Sequence, residues 1–240
     1  GSGANYVHAD HHTFEYHPLT NALFVGNDGG ISYTTNQGAS WTNISEGLGI
    51  GQLYTVGVSP NNSSIILAGL QDNGTAMKRE DGWRKVTGGD GMECVVDPTN
   101  DELIYTSSQN GAYIDRILFD GLRWLEKRLL VQPSGGINET GAWESPFLIS
   151  QSNPNVMILG LKNIWIATNV RNMNKNTAIP FQRISDNQFE SIYSRVNELA
   201  QSPVDFNSLY FSQGKWQNPS QGYSFFRTDN LMDLEPEWID

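Results

Sequence analysis

Residues 34–41 constrain the fold of this chain more than any other feature. They read TTNQGASW, which puts hydroxyl, Asn, Gly and Trp residues at fixed spacing. An Asn side chain can accept hydrogen bonds from backbone amides in a turn, and a Gly can adopt the positive φ that a tight turn needs. A tryptophan that follows can fill the apolar space beneath the turn. The pattern therefore predicts a β-hairpin with structural roles for Thr34, Asn36, Gly38, Ser40 and Trp41.

The hairpin lies within a longer repeat. Five segments share a turn followed by an aliphatic run: YHPLTNALFVG, VSPNNSSIILAG, VDPTNDELIYTS, ISQSNPNVMILG and QSPVDFNSLYFS. Taking Pro18, Pro60, Pro98, Gln151 and Pro203 as equivalent, the steps are 42, 38, 53 and 52 residues. Such steps match one four-stranded blade and are too irregular for a stacked solenoid. The repeat predicts an all-β chain, a β-propeller of four-stranded blades.

Five blades are expected, at about residues 4–46, 47–87, 88–131, 140–185 and 190–240, with Trp238 as the outer tryptophan of the last. Two arrangements fit the repeat, a closed five-bladed ring and a segment of a larger ring. A segment would expose apolar strand faces and would need missing blades or other domains of a longer parent chain. Gly1, Ser2 and Gly3 are typical of a cloning remnant, so the native start is not visible.

Composition agrees with many short strands and excludes several kinds of partner. The chain has 24 Gly, 10 Pro and a formal net charge of -11, and this acidity argues against nucleic acid. No apolar run approaches the roughly 20 residues of a membrane helix. Cys94 is the sole cysteine, which excludes an intrachain disulfide and a thiolate metal cluster. Its apolar surroundings, ECVVDP, predict a buried and inert thiol.

The chain also resembles a known group of proteins. The turn at residues 34–41 fits the Asp-box pattern, and VHADHHTFEYHPL, LGIGQLYTVGVSP, LAGLQDNGT and GGDGMECVVDP accompany it. Together they resemble the secreted, sortilin-like Asp-box (BNR-like) propellers of Bacteroidetes type, well over residues 7–111 and weakly beyond. The resemblance implies an extracellular or cell-surface location and a binding or scaffold role, with a glycan or an extracellular protein as the partner.

Propeller geometry predicts where a ligand would bind. The turn between the second and third strands of a blade and the segment leading into its inner strand share one end of the sheet, here called the mouth end. The Asp-box turn lies at the opposite end. The residues expected to bind a ligand at the mouth end are Asp10, Gln52, Asp90, Glu93, Asn110, Trp143, Glu144 and Arg195.

All four histidines fall within the first 17 residues, which suggests a metal site. In an extended strand, alternation would put His8, Asp10 and His12 on one side and His11 on the other. Three such ligands could hold a divalent metal ion, the one cofactor that the sequence suggests. The alternative is that these side chains only hydrogen-bond across the inner strands.

An enzyme is the alternative to a binding protein. Asp28, Asp72 and Asp90 are predicted at the mouth end, and two of them could serve as the acid and base of a glycoside hydrolase. The string NDGG resembles the Asp-x-Gly-Gly turn of xyloglucanase-like Asp-box hydrolases. Asp and Asn before Gly are also common in any tight turn, so both readings stay open. A sialidase needs an arginine cluster, and it is disfavoured because only Arg195 is expected at the mouth end. The other arginines considered are expected on outer or third strands: Arg79, Arg84, Arg116, Arg123 and Arg128.

Overall fold

The computed structural model describes residues 6–120, 124–131, 137–172, 179–185, 194–215, 223–233 and 235–239, so Gly1, Ser2, Gly3 and Arg123 lie outside the described residues. The described chain forms five antiparallel sheets. Each is a meander in which strands that follow one another in sequence pair side by side. This is the architecture of β-propeller blades. One three-residue 3-10 turn, Gln109–Gly111, interrupts the strands.

The first sheet contains β1 (His11–Tyr16), β2 (Leu23–Asn27), β3 (Gly30–Thr34) and β4 (Thr42–Asn43). The second contains β5 (Leu53–Val58), β6 (Ile66–Leu70), β7 (Gly74–Arg79) and β8 (Gly82–Lys85). The third contains β9 (Cys94–Asp97), β10 (Asn100–Thr106), β11 (Ile114–Phe119) and β12 (Trp124–Val131). The fourth contains β13 (Phe147–Ile149), β14 (Met157–Gly160), β15 (Ile164–Ala167) and β16 (Gln182–Arg183). The fifth contains β17 (Ser194–Gln201), β18 (Leu209–Lys215) and β19 (Tyr223–Thr228).

The chain divides into two compact units. The first unit, Gly1–Gln52, holds the first sheet, and the second unit, Leu53–Asp240, holds the other four. Within the second unit, β5 and β6 contact β9, β9 contacts β13, and β13 and β14 contact β17. Successive sheets therefore pack through their inner strands, as propeller blades do.

Strand alternation builds a separate apolar layer between each pair of sheets in the second unit. Ile104 of β10 packs with Leu67 of β6 between the second and third sheets. Its neighbours Leu103 and Tyr105 point to the other side and pack with residues of β13 and β14. Ile158 of β14 belongs in turn to the layer shared with the fifth sheet. Side chains at successive positions thus cover both faces of the middle sheets, because their direction alternates along a strand.

The turn between β3 and β4 forms a closed set of hydrogen bonds. Thr34 Oγ1 donates to Asn36 Oδ1 at 2.8 Å and accepts from the Gly38 amide at 3.1 Å. Asn36 Oδ1 also accepts from the Ser40 amide at 2.9 Å, so the bond spans four residues. Gly38 has φ 86°, which confirms the predicted left-handed position. Trp41 is half-buried, less than the full burial that the pattern predicts.

Two details differ from the sequence prediction. The fifth sheet has three described strands, and an isolated bridge between Arg227 and Ile239 stands where a fourth would run. An extended strand from Ala112 would be expected directly after the turn at residues 109–111, whereas the third strand of the third sheet begins at Ile114. Asn110 and Tyr113 have φ of 61° and 53°, so the chain turns sharply before it can become extended.

Candidate functional site

The candidate site is the mouth end of the sheets in the second unit. Each second-to-third-strand turn there lies at the same end as the segment that leads into the inner strand, because the strands are antiparallel. Strands β5 and β17 each have a register shift close to this end, between Leu53 and Thr55 and between Val196 and Glu198. A β-bulge of this kind turns one side chain away from strict alternation, and bulges often occur beside functional sites.

A chain of hydrogen bonds joins three sheets at this end. Trp143, in the segment before β13, donates from Nε1 to the Tyr54 hydroxyl at 3.1 Å. Tyr54 lies at the bulge in β5, and its hydroxyl donates to Gln71 Oε1 at 2.8 Å. The backbone of Trp143 accepts from the Asn110 amide at 3.0 Å. The predicted residues Asn110 and Trp143 are therefore in contact. Tyr54, which was not predicted, also contacts Trp143, because it lies at a bulge that the sequence pattern does not indicate.

Asp90 has a structural contact at the mouth end. Its Oδ1 accepts from the Asp72 amide at 2.8 Å, which ties the segment before β9 to the turn after β6. Asp72 itself has φ 59°, a left-handed position that Asp tolerates better than most residues. Asp72 and Asp90, two of the three predicted catalytic residues, are therefore in contact. The Asp90 carboxylate fixes the backbone of Asp72 through this hydrogen bond.

Three glutamates from three sheets interact electrostatically at this end. Burial raises the pKa of the Glu93 carboxyl to about 7, and the carboxylates of Glu198 and Glu144 add to the rise, while a hydrogen bond with the Cys94 backbone opposes it. Burial and Glu198 also raise the pKa of Glu144. Glu93 is half-buried, whereas Glu144 and Glu198 are exposed. Glu93 therefore holds a proton at a pH where an ordinary glutamate has lost it.

Glu93 and Glu144 were predicted from the sequence to bind a ligand at this end, whereas Glu198 was not. The repeat carried a usable signal, because Glu93 and Glu198 each lie five residues before an equivalent turn position, Pro98 and Pro203. Side chains at equivalent positions of two blades should lie at the same distance from the mouth end, so the position of Glu93 predicts that of Glu198. The predicted Arg195, in β17, is half-buried and donates from Nη1 to the Ser194 carbonyl at 2.8 Å.

In the first unit, the structure does not form the predicted histidine metal set. Strand β1 starts at His11, Asp10 has φ 56°, and the register shifts between His11 and Thr13, so His8, Asp10 and His12 do not alternate along one strand. Their ligand atoms do not lie within 4.8 Å of one another. The prediction assumed an extended strand, and the left-handed residue and the bulge redirect the side chains.

His12 instead pairs with a predicted catalytic residue. Its Nε2 lies 2.6 Å from Asp28 Oδ1, in the turn after β2. His8 packs closely on the same turn, since a Cβ added to Gly29 would lie 2.6 Å from the His8 side chain. Asp10 and Gln52, the other residues predicted here, are exposed. His12 therefore forms a hydrogen bond across strands, which was the alternative to a metal site. Its partner is Asp28 of the same sheet.

Other residues lie where the sequence places them. Cys94 is buried at 1% exposure, and burial raises the pKa of its thiol to about 11, which fits an inert thiol. Arg79, Arg84 and Arg116 lie on third and outer strands, as the sequence predicts. No helix among the described residues is long and apolar enough to cross a membrane.

Comparison with known proteins supports the fold alone. No protein-family model and no curated protein matches the chain. Among solved structures, it is similar to an ancestral GH74 enzyme (TM-score 0.58, 17% identity, covering 96% of this chain and 31% of that one). It is also similar to the GH74 xyloglucanase of Xanthomonas campestris (0.53, 13%, 96% and 38%) and to Kuenenia stuttgartiensis hydrazine synthase (0.53, 11%, 97% and 68%). The chain thus spans about a third of the length of these GH74 enzymes and has the β-propeller fold.

Proposed function

We propose that this chain is a non-catalytic extracellular propeller that binds a glycan or a protein through the mouth ends of its sheets. The observation that carries the proposal is the hydrogen-bonded chain from Trp143 through Tyr54 to Gln71. It fixes an indole ring beside amide and carboxylate groups before any ligand arrives. A prearranged surface of this kind loses little conformational entropy on binding.

Bonding at the proposed catalytic carboxylates favours binding over hydrolysis. Asp90 holds the Asp72 amide, and Asp28 pairs with His12, so these groups already stabilise their own turns. The extracellular or cell-surface location is part of the same proposal. Its support is the resemblance to secreted sortilin-like propellers described above.

One observation favours a second candidate, a glycoside hydrolase. Such enzymes need a carboxylic acid that keeps its proton near neutral pH and a second carboxylate that is ionised. Glu93, with a pKa of about 7, fits the first role, and Glu198 interacts with it from the fifth sheet. The similarity to GH74 structures is compatible with this candidate, although it shows the fold alone.

A glycan array combined with a reducing-sugar assay on plant and microbial polysaccharides separates the two candidates. The binding proposal expects retention of at least one glycan or glycoprotein without turnover. Trp143→Ala should abolish retention, while Trp83→Ala, which removes a 55% exposed indole from the outer strand β8, should leave it unchanged. Turnover that is lost in Glu93→Gln, or in Asp90→Asn, would replace the binding proposal with the hydrolase.

A further inference from the structure

A cleft of about 440 Å³ lies between the second and third sheets. Thr87, after β8, lines one side, and residues from the end of β10 to the start of β11 line the other. This volume is within the range of small-molecule sites, roughly 300 to 1,000 Å³. None of the residues predicted to bind a ligand at the mouth end lines the cleft.

Strand pairing explains why polar side chains converge there. Thr106 of β10 is directly opposite Asp115 of β11 and opposite Cys94 of β9. Opposed residues in an antiparallel sheet project from the same face. Cys94 Sγ lies 3.5 Å from Thr55 Oγ1 of β5, so this face is turned toward the second sheet. The two sheets leave the cleft open where threonine and aspartate replace the aliphatic residues of the layer below.

One buried hydroxyl in the wall lacks a partner. Thr106 is 1% exposed, and its Oγ1 has no hydrogen-bond partner among the described residues. Leaving a buried hydroxyl unsatisfied is unfavourable, and a ligand hydroxyl or a water molecule in the cleft would remove this cost. Thr106 lines the cleft, and rotation about its Cα–Cβ bond would turn this enclosed hydroxyl toward a group bound there.

The other lining groups offer both kinds of hydrogen bond. Ser108 Oγ donates to the Ala112 carbonyl at 2.8 Å, which leaves its lone pairs as acceptors. Thr87 Oγ1 accepts from the Thr75 amide at 3.0 Å, which leaves its proton to donate. A sugar hydroxyl is both donor and acceptor, and it can match such a mixed set. Phosphate or carboxylate ligands can only accept.

Charge and shape at the rim favour a neutral sugar. Asp115 lines the cleft and is 5% exposed, and a carboxyl group in the wall disfavours an anionic ligand in a chain whose formal net charge is already -11. Tyr113 is 55% exposed and has φ 53°, a conformation that costs energy for a bulky residue. The sharp turn presents its ring at the rim, where a sugar's apolar face can stack on it.

We propose that this cleft binds one neutral sugar residue, either free or at the end of a glycan. The site is distinct from the mouth-end surface of Trp143 and stands even if that surface binds a protein. Thr106 supplies the buried hydroxyl, Asp115 excludes anionic sugars, and Tyr113 covers one face of the ring.

The test is NMR titration of the whole chain with D-glucose, D-galactose, D-mannose, D-xylose, cellobiose and, as an anionic sugar, N-acetylneuraminic acid. At least one neutral sugar should bind, and the anionic sugar should not. Thr106→Val keeps the side-chain shape and removes one hydrogen bond, so Kd should rise roughly threefold to tenfold. Tyr113→Asn, which tolerates the left-handed backbone, should also weaken binding.

Thr75→Val is the matched control. Thr75 is fully buried, and its Oγ1 also has no partner among the described residues, but it does not line the cleft. Both valine variants should keep or raise the melting temperature, and only Thr106→Val should weaken sugar binding. Absence of binding by every neutral sugar, or equal Kd in the two variants and the wild type, overturns the proposal. Binding that is lost in Trp143→Ala and unchanged in Thr106→Val would place the sugar on the surface around Trp143, outside the cleft, and would overturn the proposal.

Discussion

The two ends of the sheets treat their polar groups differently. At the end opposite the mouth, the turn between β3 and β4 satisfies its side chains locally: Thr34, Asn36 and Ser40 bond with one another. At the mouth end, the Glu93 carboxyl keeps its proton to about pH 7 and the Thr106 hydroxyl has no partner among the described residues. Satisfied turns stabilise the fold, whereas unsatisfied or strained groups are the ones available for a ligand.

The fifth sheet repeats the local solution with a longer loop. Thr228 Oγ1 donates to Asn230 Oδ1 at 2.7 Å, and the Asn230 amide donates to Thr228 Oγ1 at 3.3 Å. Asn230 Oδ1 accepts from the Glu237 amide at 3.0 Å, and Trp238 follows directly. In the first sheet the same acceptor bonds to Ser40, the residue before Trp41. The two turns thus have the same bonding pattern. The extra residues between Asn230 and Glu237 separate the motif positions, so the pattern is not recognisable in the sequence.

The largest expected effect separates the two tryptophans. The Trp238 ring lies 5.0 Å from that of Phe211, edge to face, and its Nε1 donates to the Ile184 carbonyl at 3.2 Å. Trp238→Ala should lower the free energy of unfolding by about 3 to 4 kcal/mol. Both indoles are half-buried, but Trp238 packs against a buried apolar cluster, whereas Trp41 lies against Gly38 of its own turn, so Trp41→Ala should cost about 1 to 2 kcal/mol. Urea unfolding of both variants measures the difference. Equal losses in the free energy of unfolding would contradict this prediction and show that the two tryptophans stabilise the fold equally.

The next effect tests the mouth end through pH. The pKa of Glu93 is about 7 in the folded chain, above the roughly 4.3 of an unfolded glutamate. The folded chain therefore binds more protons between about pH 4.5 and pH 7, and stability falls as pH rises through this window. Glu93→Gln should be more stable than the wild type at pH 8, on the order of 2 to 3 kcal/mol, and similar to it at pH 4.

Melting curves from pH 4 to pH 8 measure this effect, with Glu235→Gln as the control. Glu235 is exposed, so its substitution should leave the pH profile unchanged. A flat difference between Glu93→Gln and the wild type across the range would contradict the raised pKa.

The smallest effect concerns backbone strain in the first turn. Gly38 has φ 86°, and an added Cβ would lie 3.7 Å from the Trp41 ring, an ordinary contact. Gly38→Ala should therefore cost about 1 kcal/mol through the backbone alone. Gly88→Ala is the comparison at the mouth end, because Gly88 has open space and no left-handed φ, so its stability should stay the same or rise. Thermal unfolding of both variants is the measurement; a neutral Gly38→Ala would show that the turn relaxes.

Much of the fold could be predicted because it depends on local patterns. The turn at residues 34–41 predicts its hairpin, and the five aligned repeats predict the five sheets. Alternation of apolar residues also predicts which side chains enter the layers between sheets. These features follow from backbone geometry within about 40 residues, so neighbouring sheets are not needed to define them.

The candidate site depended on contacts that no local pattern contains. Bulges in β1 and β5 redirect His12 to Asp28 and Tyr54 to Gln71, and a shift of one residue reverses the expected side of a strand. Glu93 and Glu198 interact only because separate sheets bring them together. The sequence by itself determined the blades and their turns. The tertiary structure decided which polar groups converge and which stay unsatisfied, because that depends on how whole sheets pack against one another.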